Sequence, residues 1–190
     1  MTRTRRLILA SSSPRRLELL RAMGLDVEQI TSSAVEISEG EPAPLAMENA
    51  RRKAVSVSAA VPGALALGAD TVVILDGTIF GKPRDEADAA RMLGILQGRG
   101  HDVVTGVCLA RGQAADTRYE RTAVRFASMS EREILAYIAT GDPMDKAGAY
   151  GIQGMTRMYV EGIRGSYDNV MGLPTALVRR MLLDAGYEWI

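Results

Sequence analysis

The sequence predicts an α/β fold built on a mixed sheet. Two observations carry this. Short apolar runs of strand character alternate with capped amphipathic helices along the chain. Two pairs of those runs are joined by hairpin-type turns, which a purely parallel sheet would not contain. With 190 residues, 47% of them hydrophobic and 24% charged, the chain can bury a substantial core, as one compact domain or two closely joined lobes.

Each element follows from a local signal. Residues 7–10, "LILA", read as a short buried strand. Ser13 is placed to cap a helix with Pro14 at its first position; Leu17, Leu20 and Met23 form its apolar stripe and Gly24 its stop. Residues 26–30 predict a second strand. Residues 31–43, rich in Ser, Glu, Gly and Pro, predict a loop, and a long helix follows over 44–60. Residues 65–75 have strand character interrupted at "GAD"; Asp76-Gly77 signals a hairpin, and "TIFGKP" is the return. Asp85 caps a helix that turns Ala89, Met92, Leu93 and Leu96 inward. Residues 103–110 and 123–126 predict antiparallel neighbours joined near Gly112. Ser130 with Glu133 is a capping box; it opens a helix with Ile134, Leu135 and Ile138 inward, stopped at Gly141. "RMYVEGI" is a last strand, and residues 174–185 a last helix closed by Gly186.

Composition narrows the function classes. Basic and acidic residues balance at 23 each and aromatics are only 5%, which leaves little for tracking a nucleic-acid backbone or stacking on bases. Cys108 is the only cysteine, so no internal disulfide forms, and its run "VTGVCLA" reads as core. The basic start, "MTRTRR", precedes an apolar run too short for a signal-peptide core, and no stretch is long enough to span a bilayer. A cytoplasmic protein with no nucleic-acid or membrane partner is expected.

The stretch "ASSSPRR" raises a question of charge. The first turn of a helix carries free N–H groups and the positive end of the dipole, so Arg15 and Arg16 there cost about 0.3–1 kcal/mol each if exposed. An anion resolves the conflict: the hydroxyls of Ser11, Ser12 and Ser13, the free N–H groups and the guanidinium forks all suit phosphate oxygens, although no P-loop signature is present. The other reading leaves both arginines in solvent or paired with Glu18 and nearby acids. Asp70 raises a second question. A carboxylate between apolar runs is costly unless paired, so it reads as a general base or metal ligand at a strand end, or else as a hydrogen-bonded turn residue.

Among 23 basic residues only three are lysines, Lys53, Lys82 and Lys146, each surface by default. "PMDKAGAYGIQG" packs Asp145, Lys146, Tyr150 and Gln153 among three glycines with no periodic pattern, as a backbone closely approached by another group would. The lone His101 reads as a loop or strand-start residue, and no Cys/His metal set is present.

Taken together, "LILASSSPRRLELLRAMG", "GADTVVILDG…GKPRDEADAARML", "LQGRGHDVVTGVCL", "GDPMDKAGAYGIQG" and "YDNVMGLP" resemble the Maf family of nucleoside triphosphate pyrophosphatases, nearly end to end. The resemblance implies one Maf-like domain over residues 1–190: a strongly twisted mixed sheet flanked by helices, with two lobes and a cleft between them, related to the inosine-triphosphate pyrophosphatases. It implies a cytosolic housecleaning hydrolase that cleaves a nucleoside triphosphate to the monophosphate and pyrophosphate with a divalent metal, Mg²⁺ or Mn²⁺, and that is often dimeric. Some members are linked to septum formation and division arrest. Residue by residue, Asp70 matches the catalytic acid; Arg15, Thr71 and Gln153 match positions of substrate selection; Ser11, Arg16, Glu36, Lys53 and Lys82 match other polar positions of the site, with Asp70 and Glu36 as carboxylate ligands for the metal. "DKAGAYGIQG" is similar to the subgroup acting on dTTP and UTP, whereas "GMTRMYV" departs from the Leu-Gly usual there. The alternatives are the same reaction on 7-methyl-GTP or another modified nucleotide, and a nucleotide-sensing regulator of division without turnover.

Overall fold

The computed structural model describes residues 6–188; the basic start at residues 1–5 lies outside them. In chain order the elements are β1 (Leu7–Leu9), α1 (Pro14–Ala22), β2 (Val27–Gln29), α2 (Pro42–Ala60), β3 (Leu65–Leu75), β4 (Thr78–Phe80), α3 (Glu86–Leu96), β5 (Gly100–Arg111), β6 (Ala114–Phe126) and α4 (Glu131–Ile138). Three 3₁₀ turns follow (Asp142–Asp145, Ala147–Ala149, Gly154–Tyr159), then β7 (Val160–Arg164), α5 (Tyr167–Met171) and α6 (Thr175–Asp184).

The strands form a seven-stranded sheet in the order β2-β1-β3-β5-β6-β7, with β4 on β3. β1 runs parallel to β2 and β3, whereas β4 is antiparallel to β3 and β7 antiparallel to β6. The sheet is therefore mixed, as the hairpin signals required. The chain divides into two compact units. The first comprises Met1–Asp70, Thr105–Glu120 and Gly172–Ile190; the second comprises Thr71–Val104 and Arg121–Met171. The core of the first unit gathers Leu7, Leu9, Leu20, Leu67, Leu173 and Met181. The core of the second gathers Val73, Phe80, Leu93, Val124, Phe126 and Tyr137.

Most elements sit where their signals put them. Ser13 caps α1, and the Ser130–Glu133 capping box opens α4 with both reciprocal bonds made. Five expectations need correction. The first three residues of "RMYVEGI" lie in the third 3₁₀ turn, and the strand itself is Val160–Arg164. β3 runs unbroken through "GAD", so Asp70 lies in the strand interior and not at its end. α2 starts at Pro42, two residues early, because Pro suits a first helical turn. β6 is 13 residues long; its exposed first half, "AADTRYE", has polar positions and no apolar run to announce it. Leu135 is 54% exposed and Tyr137 only 1%: α4 buries Ile134, Tyr137 and Ile138, an i, i+3, i+4 stripe.

One packing feature positions the site. α2 lies on the sheet with its own backbone against two glycines. A Cβ on Gly68 would overlap the Ala50 carbonyl oxygen and come within 2.7 Å of the Ala54 nitrogen; one on Gly106 would overlap the Ala46 carbonyl. Small residues on both sides, with Ala46, Ala50 and Ala54 fully buried at four-residue spacing, let helix and strand approach this closely.

Candidate active site

The first unit assembles a cluster around Asp70, which is 8% exposed. Gly68 lies two residues before it on β3 and draws α2 down at that point. Asn49 and Lys53, four residues apart on one face of α2, reach the carboxylate. Lys53 Nζ lies 2.7 Å from Asp70 Oδ1, and Asn49 Nδ2 donates to Asp70 Oδ2 at 3.1 Å. Each carboxylate oxygen is thus held by one side chain of the helix.

Glu36 joins from the irregular segment between β2 and α2. Its Oε1 is 2.8 Å from Lys53 Nζ, while the side chain stays 56% exposed. α2 ties down both flanks of Glu36. Arg52 donates to the Val35 carbonyl at 3.2 Å, and the Asn49 amide brackets Ile37, accepting from its N–H at 2.8 Å and donating to its carbonyl at 2.9 Å. One ammonium therefore bridges two carboxylates that lie 34 positions apart in the chain.

The serine turn lies in the same unit. Ser11 Oγ accepts from the Ser13 N–H and from Arg16, both at 3.2 Å, and keeps its own proton to donate. Gln29 donates to the Ser11 carbonyl at 2.9 Å. Arg16 runs across the turn: Nε donates to the Gly172 carbonyl at 2.8 Å and a terminal nitrogen to the Ala69 carbonyl at 2.9 Å. Burial lowers its pKa from the ordinary arginine value, with the Asp70 charge opposing, and it stays a cation. Arg16 thus braces Ser11 and the residue before Asp70; Arg15, beside it at the start of α1, is likewise partly buried.

The second unit holds the other sequence-predicted residues. Thr71 follows Asp70 within β3 and is partly buried. Lys82 is exposed in the bend between β4 and α3. Gln153 is exposed immediately before the third 3₁₀ turn, next to the buried Ile152.

Sequence reading missed Asn49. The signal was present: it lies in the α2 stripe that buries Leu45, Ala46, Ala50, Ala54 and Val57, where a carboxamide must find partners. It also missed Asp142 and Tyr137, whose side chains meet at 2.6 Å beside Lys146.

The donor set bears on a metal. Among the described residues no group of three or more His, Cys, Asp or Glu side chains converges. Asp70 and Glu36 are the carboxylates available, and Lys53 already contacts both. This pattern fits a hard cation that keeps water and phosphate ligands and touches one or two carboxylates, as Mg²⁺ does, and does not fit a resident protein cage.

Comparison with known proteins places the chain in a family. The Maf-like protein family model matches residues 6–185, which takes in both units. A dTTP/UTP pyrophosphatase of Symbiobacterium thermophilum is 50% identical over 185 residues, covering 95% of this chain and 94% of that protein. One of Koribacter versatilis is 50% identical over 182 residues, with 95% and 94% covered. Among solved structures, a HAM1 protein from Coxiella burnetii superposes with a TM-score of 0.55 at 15% identity, over 97% of this chain and 100% of that one. The Ham1 protein of Staphylococcus aureus gives 0.52 at 13%, over 82% and 80%. These two likenesses concern the fold alone. The length and identity of the sequence matches establish that the chain belongs to the Maf-like protein family.

Proposed function

We propose that this protein is a nucleoside triphosphate pyrophosphatase acting on dTTP and UTP, releasing the monophosphate and pyrophosphate. The observation that carries the reading is Asp70: a nearly buried carboxylate in mid-strand, with one oxygen on Asn49 and the other on an ammonium shared with Glu36. Relatives named for this activity, at 50% identity over almost their full length, support it.

In this mechanism Asp70 accepts a proton from water. The water oxygen bonds to phosphorus at the α–β anhydride, the bridging P–O bond breaks, and pyrophosphate leaves with the electron pair. As Asp70 Oδ1 takes the proton, Lys53 retains Glu36 as a charged partner, so no cation is stranded. The Ser11 hydroxyl, Arg15 and Lys82 neutralise the phosphates at the positive end of the α1 dipole. Arg16 holds the serine turn in shape. Asp70 and Glu36 would hold a divalent cation, Mg²⁺ or Mn²⁺, which when bound supplies Lewis-acid charge to the phosphate oxygens. Gln153 and Thr71 serve base selection. An amide offers one acceptor and two donors, and uracil and thymine present the same O2, N3–H and O4 edge.

The test is Asp70→Asn, assayed by pyrophosphate release from dTTP and UTP with circular dichroism as the fold control. Turnover should fall about 10²–10⁴-fold, and wild-type turnover would remove Asp70 from its role. A panel including 7-methyl-GTP separates the pyrimidine reading from its sister subgroup, and nucleotide binding without monophosphate would indicate a sensor. A chelator titration and sedimentation address the metal and a homodimer. We place the enzyme in the cytoplasm, consistent with a single, buried cysteine; among the described residues no helix is long and apolar enough to cross a membrane.

A further inference from the structure

We infer that Lys146, Asp142 and Tyr137 form a positioning network that presents Gln153 to the nucleotide base, and so set substrate preference without touching substrate. The inference rests on the reading of Gln153 as the base-contacting side chain.

The network holds the backbone two residues before Gln153 from three directions. Lys146 Nζ donates to the Asp142 carbonyl, to Asp142 Oδ1 at 2.8 Å and to Asp145 Oδ1 at 2.8 Å. Asp142 Oδ2 accepts from the Tyr137 hydroxyl at 2.6 Å, and that hydroxyl oxygen accepts from the Gly151 N–H at 3.2 Å. The Gly151 carbonyl accepts from Thr156 Oγ1. The α-carbon of Gly151 rests on the Lys146 stem, where a Cβ would lie 2.7 Å from Cε and 2.9 Å from Cδ. Both polar groups and one face of Gly151 are thus occupied. Ile152 is buried next, and Gln153 emerges exposed.

Two further features separate this network from ordinary loop packing. Ala149 has φ +59°, a left-handed conformation that costs a non-glycine residue energy and persists only where the surroundings enforce it. Gly148, at φ +69°, is pressed against Val73, leaving little room to relax. Lys146 is the second feature. Its ammonium is drawn inside by two carboxylates that themselves reach solvent, and apolar packing would stabilise a loop at least as well. Burial and the bond to Asp142 keep the Tyr137 phenol protonated, pushing its pKa up, so the donor persists at working pH.

The experiment compares Tyr137→Phe, Lys146→Met and Gln153→Ala, with kcat and KM measured for dTTP and dGTP. The two network variants should lower the dTTP-over-dGTP ratio of kcat/KM about tenfold, through KM for dTTP, with kcat held within about twofold. In the Gln153→Ala background Tyr137→Phe should add no further change. An equal loss on both nucleotides, or loss of the fold in both network variants, would make the network structural and overturn the inference. A Gln153→Ala change in preference with none from Tyr137→Phe would overturn it while leaving the base-reading role intact. No change from Gln153→Ala would overturn both.

Discussion

Asn49→Ala tests the architecture of the site most directly. Asn49 is 3% exposed and makes three hydrogen bonds, two to the Ile37 backbone and one to the Asp70 carboxylate. A neutral hydrogen bond contributes about 1 kcal/mol net, and one to a charged group about 1.5–3 kcal/mol. Simple addition gives about 3.5–5 kcal/mol, an overestimate, because the segment around Ile37 is open enough for water to take over its backbone groups. The Asp70 oxygen is not so served, and it sets the floor. A destabilisation of about 2–3 kcal/mol follows, a drop of about 4–12 °C in melting temperature for a chain of this length. Turnover should fall further than stability alone explains, by about tenfold or more, because Asp70 loses one of its two anchors and a small displacement of a base is costly. Urea unfolding and calorimetry give the first number, and pyrophosphate release at saturating dTTP gives the second. A loss under 0.5 kcal/mol with unchanged kcat would show that Lys53 alone fixes Asp70.

Gly68→Ala should destabilise by about 3 kcal/mol or more, measured by urea unfolding, because its Cβ meets helix backbone that has no rotamer to turn aside; a neutral result would mean α2 can lift freely. His101 should make stability pH-dependent. Burial, against a small opposing pull from Asp102, lowers its pKa to about 4, and its Nε2 shares a 2.7 Å hydrogen bond with the buried Tyr150 hydroxyl beside Phe126. The unfolded chain binds the proton first, so stability is intact above pH 6.5 and declines by about 3 kcal/mol as pH falls to about 4. His101→Gln should flatten that slope in unfolding titrations, and an unchanged slope would assign it to other groups.

The parts of this molecule that could be read in advance are those governed by local signals. Ser13, Asp85 and the Ser130–Glu133 box each cap the helix they announced. What escaped depends on partners remote in sequence. Asp70 read as a strand-end residue because an acid among apolar neighbours suggests a break; the strand continues because Lys53 and Asn49 arrive from another element to satisfy it. The bracing role of Arg16 is not legible in "SPRR", because two of its acceptors, the Gly172 and Ala69 carbonyls, are remote in sequence. Glu36 lies in a segment with no periodicity, and its place is set by the Asn49 and Arg52 side chains on either flank.

The scarcity of lysine now acquires a physical account. Two of the three lysines are largely buried, and each serves three acceptors. Lys53 meets Asp70, Glu36 and, at the outer limit of 3.5 Å, the Ala69 carbonyl. Lys146 meets Asp142 twice and Asp145 once. An ammonium directs three N–H bonds tetrahedrally from one point, so acceptors from separate segments can converge on a single compact atom; a guanidinium spreads its donors around a rigid plane, as Arg16 does toward the Ser11 hydroxyl and the Ala69 and Gly172 carbonyls. Arginines other than Arg16 pair with carboxylates at the exposed surface, as Arg51 does with Glu48 across one helical turn. Lys53→Arg should therefore not be conservative. It should lower kcat for dTTP about as far as Lys53→Met does, by roughly 10²-fold, because Met has no donor and the larger, planar guanidinium does not place a nitrogen where the ammonium sits between Asp70 and Glu36. Arg51→Lys, at an exposed pair, should change stability by less than about 0.5 kcal/mol and leave kcat alone. If Lys53→Arg turns over like the wild type, positive charge at that position suffices, and the convergence of two carboxylates on a single nitrogen has no catalytic consequence.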